Sequence, residues 1–187
     1  MKRRLTAILI VAVLLSGCDR SNMEMDRILQ LRQKIQTCQE CSFTANITAD
    51  YGEEICTFSM NCVMNREGEL AFTVVTPESI SGITGTISDD GGNLTFDNQL
   101  LAFPVLADDQ ITPVSAPWVL MQTLRGGYIR SCSRTDDGMM AIINDSYQED
   151  SLQLDIWFDD NDIPVGAEIF WEDRRILSLS VSNMMLQ

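Results

Sequence analysis

The chain of 187 residues contains no histidine. That excludes His-based catalytic triads, imidazole metal ligands and the commonest general base. Lysine occurs only at Lys2 and Lys34, and no Ser-x-x-Lys is present, so a Ser–Lys dyad has little to draw on. Positive charge is scarce overall: 13 Lys and Arg stand against 27 Asp and Glu, a formal net charge of −14. A nucleic-acid partner needs clustered Lys and Arg to meet phosphates and is excluded on that ground. The most apolar run, Leu5 to Leu15, is too short for an ordinary membrane span, which takes about 20 residues. No glycine-rich loop follows a strand and opens a helix, so phosphate cradles are also missing. What remains is 45% apolar, enough to form a core and too much for a disordered chain.

The N-terminus has three parts. Lys2, Arg3 and Arg4 are followed by the apolar stretch and then by Leu15-Ser16-Gly17-Cys18. This closing tetrapeptide resembles the bacterial lipobox. The resemblance implies cleavage before Cys18, a diacylglycerol thioether on its sulfur and acylation of the new amino group. Two or three acyl chains anchor stably where one does not. The chain is therefore expected to divide into a signal peptide (1–17), a lipidated tether (18–22) and one domain (23–187). Without the leader the basic residues fall from 13 to 10, the 27 acidic residues stay, and the charge becomes −17. Such a charge is repelled by an anionic bilayer, so the anchor rather than electrostatics is expected to hold the protein on the extracytoplasmic face of a cell membrane. Asp19 resembles the inner-membrane retention signal of enteric bacteria, but which membrane is meant stays open.

Met25, Ile28, Leu31 and Ile35 recur at three- and four-residue steps, which predicts a helix over 21–36. From Ser42 the period changes to two. Phe43, Ala45, Ile47 and Ala49 alternate with polar residues, as do Cys56, Phe58, Met60 and Cys62. A tight turn at Tyr51-Gly52 pairs Phe43 with Met60, Ala45 with Phe58 and Ile47 with Cys56. A one-residue slip would set each apolar residue against a polar one. Further strands are expected over 70–74, 82–88, 93–101, 139–143, 152–158, 165–171 and 176–181. A Pro-rich segment (104–117) leads into a short helix over 118–124, with Pro117 suited to its first position and Gly126-Gly127 ending it.

The order of elements, and the run Leu154-Asp155-Ile156-Trp157-Phe158, Pro164, Ala167-Glu168-Ile169, look like the lipoprotein-carrier superfamily over roughly 23–184. The resemblance implies an α+β fold: a strongly curved antiparallel sheet, an incomplete barrel, covered by the N-terminal helix and the short central helix. It also implies an apolar cavity. The inward-facing candidates to line it are Phe43, Ile47, Phe58, Met60, Phe72, Phe96, Trp118, Met121, Ile156, Phe158, Ile169 and Trp171, with Trp118 at the mouth. Met60, Met121, Met139 and Met140 suit either core filling or an adaptable ligand wall. The expected function is non-enzymatic: binding or presenting a lipid or acyl chain. The alternative is a module of the same fold that binds an envelope protein and holds no ligand. No residue carries over as a catalytic group, and no cofactor is expected.

With Cys18 assigned to lipid, five cysteines remain. The predicted register sets Cys41 opposite Cys62 within disulfide reach. Cys38 is left to reach Cys132 or Cys56, Cys132 being preferred, and Cys56 is the expected spare thiol, facing inward. Cys38-x-x-Cys41 follows a helix instead of opening one, which argues against a redox motif, and no second ligand pair at zinc spacing exists. The pairs Asp89-Asp90, Asp108-Asp109 and Asp136-Asp137 read as solvated turns. Asp159-Asp160-Asn161-Asp162 lacks the glycine and glutamate of a calcium loop. No metal site is expected.

Overall fold

The structure, a computed structural model, describes residues 19–50, 52, 55–107, 110–148 and 151–187, with backbone alone at 19–22, 106–107 and 110. The signal peptide, the lipobox and Cys18 lie outside the described residues, as do Tyr51 and the pair Asp108-Asp109. Helix α1 spans Asp19–Thr37. Strands β1 (Glu40–Asp50), β2 (Ile55–Asn65), β3 (Leu70–Thr76), β4 (Thr84–Ser88), β5 (Gly91–Phe96) and β6 (Gln99–Phe103) follow as a meander. A crossover holding the two-residue strands β7 (Leu106–Ala107) and β8 (Gln110–Ile111) leads to helix α2 (Ala116–Gly126). A second meander comprises β9 (Tyr128–Thr135), β10 (Gly138–Asn144), β11 (Gln153–Phe158), β12 (Pro164–Trp171) and β13 (Arg174–Leu186).

Eleven strands form one antiparallel sheet in the order β6-β5-β4-β3-β2-β1-β13-β12-β11-β10-β9. The first and last strands of the domain lie side by side at its centre, and the two meanders spread outward from them. The sheet does not close, because β6 and β9 are its free edges. The architecture is therefore an open half-barrel with two covering helices. The chain must travel from one edge, β6, to the other, β9, and the crossover with α2 makes that journey over the inner face.

Alternation decides the inner face. Cys41, Phe43, Ala45, Ile47 and Ala49 of β1 are buried, as are Met139, Ala141 and Ile143 of β10 and Leu154, Ile156 and Phe158 of β11. One-sided apolar strands need a cover, which Ile28, Leu31 and Ile35 of α1 and Val119, Leu120, Met121 and Leu124 of α2 supply. The helices are latched by side chains that reach backbone carbonyls. Arg32 of α1 donates from Nε to the Leu124 carbonyl (2.9 Å) and from Nη2 to that of Gly127 (2.8 Å). Trp118 and Gln122 of α2 donate to the Gly68 carbonyl in the β2–β3 turn, at 2.9 and 3.1 Å. Near the middle of α1, Arg27 pairs with Asp162 (2.6 Å) in the β11–β12 turn.

Three sequence expectations change. The β1–β2 register pairs Phe43 with Cys62, Ala45 with Met60 and Ile47 with Phe58, two residues away from the expected one. Inward and outward faces keep their parity, because the shift is even. The cause is the connection: Asp50 and Ile55 are the last pair, so four residues link the strands instead of two. Asp50 Oδ1 accepts the Gly52 N–H (2.8 Å), and Gly52 takes φ +86°. Second, the run 93–101 is two strands. Asp97 and Asn98 adopt φ of +49° and +61°, a left-handed two-residue turn that joins β5 to β6. Third, β9 was not expected. It is an edge strand with mostly exposed side chains and no clean alternation.

Candidate ligand site

A half-open pocket of about 300 Å³ lies beside α2, at the low end of the range for small-molecule sites. Val105 after β6, Trp118 and Val119 of α2 and Leu152 before β11 form its apolar wall. Gln122 and Thr123 of α2 add polar groups, and Asp89 and Asp145 complete the lining. Thr123 is buried at 1% exposure, and its Oγ1 has no hydrogen-bond partner. An unsatisfied buried hydroxyl costs free energy.

Trp118 lines this pocket, with its indole N–H held by the Gly68 carbonyl. Val105, Val119, Gln122, Thr123 and Leu152 were not singled out. The polar pair Gln122-Thr123 inside an otherwise apolar helix was the available signal. Phe43, Ile47, Phe58, Met60, Phe72, Met121, Ile156, Phe158 and Ile169 are all buried at 5% exposure or less. Ile47, Met60, Met121, Ile156 and Ile169 are at 0%, so no water-sized void touches them. They form packed core. Trp171 lies instead in a separate depression of about 450 Å³, with Arg130, Asn144, Gln153 and Phe170. Phe96 is 48% exposed on the β4–β6 arm.

The cysteine expectations are corrected. All five described cysteines are free thiols. Cys41 faces Met64, and Cys62 faces Phe43. That leaves Cys41 and Cys62 diagonal, where Cα atoms lie about 7–8 Å apart and outside usual disulfide geometry. Burial pushes the Cys41 thiol up to about 12, helped by Cys38 and Glu40 nearby. Burial, then Cys41, also raises Cys62. Cys132 on β9 sits beside Glu24 in the first half of α1, and burial followed by that carboxylate raises it. Cys38 lies just past the other end of α1, with its thiol on the Ile35 carbonyl (3.2 Å). Cys38 lies fourteen positions beyond Glu24 along α1 and its end, about 20 Å, so Cys38 and Cys132 do not meet. Cys56 is exposed instead of inward, at the tip of the β1–β2 hairpin, opposite the buried Ala49.

The acidic constellations are turns. Asp89-Asp90 joins β4 to β5, and Asp136-Asp137 joins β9 to β10. In the β11–β12 turn, Asp159 Oδ1 accepts the N–H groups of Asn161 and Ile163, both at 2.9 Å, while Asp162 pairs with Arg27. Among the described residues no group of three Cys, Asp or Glu is placed to hold a metal ion. No helix among them is long and apolar enough to cross a membrane.

Fold and pocket together define an open half-barrel with a covered inner face and a lateral opening. No protein-family profile matches the chain, and no curated protein matches it. Among solved structures it is similar to an uncharacterised conserved protein from Thermus thermophilus (14% identity, 87% of each chain covered, TM-score 0.48). It is also similar to a LolA superfamily protein from Nitrosomonas europaea (9% identity, 86% of this chain and 93% of that one, TM-score 0.45). A third likeness is to the lipoprotein LppX of Mycobacterium tuberculosis (10% identity, 86% and 96% covered, TM-score 0.40). The expected curved antiparallel sheet with two covering helices is met in the structure itself.

Proposed function

We propose that the protein is a non-enzymatic envelope lipoprotein, tethered through Cys18, that takes an apolar chain into the opening beside Trp118. The observation that supports this reading is the pocket of about 300 Å³ walled by Val105, Trp118, Val119 and Leu152. An acyl segment fits the apolar wall, and its polar end meets Thr123 Oγ1 and the Gln122 amide. Native mass spectrometry of the full chain isolated from membranes tests this. A retained lipid that is lost in Trp118→Ala is expected, and a preparation free of any lipid mass beyond the anchor refutes it. The anchor is tested separately by intact mass. Loss of residues 1–17 with an added diacylglycerol, both abolished in Cys18→Ala, is the expected result.

A second reading is a protein-binding module of the same fold. The packed interior favours it, since nine of the twelve expected cavity residues are buried at 5% exposure or less. Its test is site-specific photocrosslinking of the tethered protein in intact cells. A discrete adduct with an envelope protein supports it, and monomer alone at every surface position refutes it.

A further inference from the structure

The β4–β6 arm combines three features that neither the core nor the pocket explains. The first is a free edge. β6 is the last strand of the sheet, and it pairs with β5 alone. Its hairpin closes at the pair Phe96–Gln99, with Leu94–Leu101 and Gly92–Phe103 beyond. In an antiparallel two-residue hairpin these are the pairs that exchange backbone bonds, so the N–H and C=O of Leu100 and Ala102 point away from β5. Among the described residues no backbone partner occupies them.

The second feature is exposed apolar area. Leu100 is 71% exposed, Leu101 53% and Phe96 48%. Leu101 and Phe96 continue the inner face, and Leu100 lies on the outer one, so apolar contacts are offered on both sides of the edge. A groove of about 400 Å³ runs beside Ala102 and Phe103 and ends at Ser88 and Asp90. Gly91 and Gly92 line it as well, and the Phe103 ring packs against Gly92 where a side chain would stand.

The third feature is charge. From Glu67 to Leu124 there is no Lys or Arg, while eight acidic residues occur. Natural edge strands are guarded by Lys, Pro or inward-pointing charge. Here only the shortness of β6 and Pro104 after it guard the edge. The acidic turns Asp89-Asp90 and Asp97 instead flank it with negative potential. That potential repels a second copy of this chain and an anionic bilayer, and it attracts a cationic segment.

We infer that the β6 edge is a docking site for an extended, cationic polypeptide segment with alternating apolar residues, added as a twelfth strand. The inference rests on the protein-binding reading and names its surface and chemistry. Backbone bonds go to Leu100 and Ala102, one face of the added strand covers Leu101 and Phe96, and a basic side chain reaches Asp90 in the groove. Strand addition of this kind draws affinity from the main chain and specificity from alternate side chains.

The test uses the full chain isolated from membranes in non-ionic detergent. The probe is a labelled, capped octapeptide of alternating Lys and Val carrying one benzophenone, and its Glu–Val counterpart is the control. Saturable binding of the Lys–Val peptide is expected by anisotropy, weakened at high salt and absent for the Glu–Val peptide. Crosslinks are expected at residues 99–103. Leu100→Pro removes an outward donor at an edge position that tolerates proline, and binding should fall about tenfold, the equivalent of one hydrogen bond. Leu100→Lys keeps the donors but sets like charge against the peptide, and it serves as the check if the proline variant does not fold. Crosslinks elsewhere overturn the edge while leaving the protein-binding reading standing. Equal binding of the Glu–Val peptide overturns the chemistry. A dimer dissolved by Leu100→Lys makes a second copy the occupant and overturns the inference. No binding of either peptide overturns the inference, while crosslinking in cells decides the wider reading independently.

Discussion

Arg32 joins the two covering helices, and removing it is a direct test of how the cover is held. The last carbonyls of a helix have no intrahelical partner, and a cation near that end is favoured by the helix dipole. Arg32 fills this role for α2 from another helix: it meets the Leu124 carbonyl at 2.9 Å and the Gly127 carbonyl at 2.8 Å. A hydrogen bond from a charged group contributes about 1.5–3 kcal/mol in mutational series. Arg32 is only half-buried, and burial lowers its pKa, so solvent competes for its charge. A value near 1 kcal/mol per bond is appropriate, giving about 2 kcal/mol for Arg32→Ala. For a domain of this size that corresponds to a fall in Tm of about 4–8 °C. With a urea slope of about 2 kcal/mol/M, the midpoint should drop by about 1 M. Arg32→Lys retains charge but loses the planar fork, so it should recover about half of the loss. Arg130→Ala is the control, because Arg130 bonds to Gln153 Oε1 at an exposed site (2.7 Å) and should change stability by less than about 0.5 kcal/mol. The reasoning is refuted if Arg32→Ala moves the midpoint no more than Arg130→Ala, or if Lys restores it fully.

Further outcomes follow from the same structure. Of the five free thiols, exposed Cys56 should alkylate first at pH 8, with Cys41 and Cys62 unreactive until the protein unfolds; peptide mapping after pulsed iodoacetamide reads this. Because Cys41 stays protonated up to about 12 when folded, whereas an unfolded thiol ionises near 8.5, its contribution is complete below the unfolded value and is lost as pH rises through the folded one. Urea midpoints should therefore fall above about pH 8.5, and less steeply in Cys41→Ala. Leu31→Ala should cost about 2–4 kcal/mol, since Leu31 is 3% exposed between α1 and the core. Gly138 adopts φ +138°, and a Cβ there would lie 2.1 Å from the Phe158 carbonyl oxygen. Gly138→Ala should destabilise by about 1–3 kcal/mol, and a denaturation midpoint equal to wild type would count against the backbone placement.

Much of this architecture is written locally. Three- and four-residue spacing of Ile28, Leu31 and Ile35 marks the buried face of α1, and Pro117 with Gly126-Gly127 brackets α2. Strand parity is equally local: every inward residue of β1 and β3 is legible from alternation, because a pleated strand sends successive side chains to opposite faces. Absence of histidine and scarcity of lysine narrow the chemistry before any fold is known. What alternation cannot supply is register. Even shifts preserve parity, so pairings two residues apart are indistinguishable until the loop after Asp50 is seen, and the Cys41–Cys62 bridge depended on that choice. Tertiary structure alone decided that Cys38 and Cys132 lie at opposite ends of α1, that Phe96 and Leu101 are uncovered, and that β6 is an edge. Each depends on where the crossover travels after Phe103, a long-range packing outcome that no window of sequence contains.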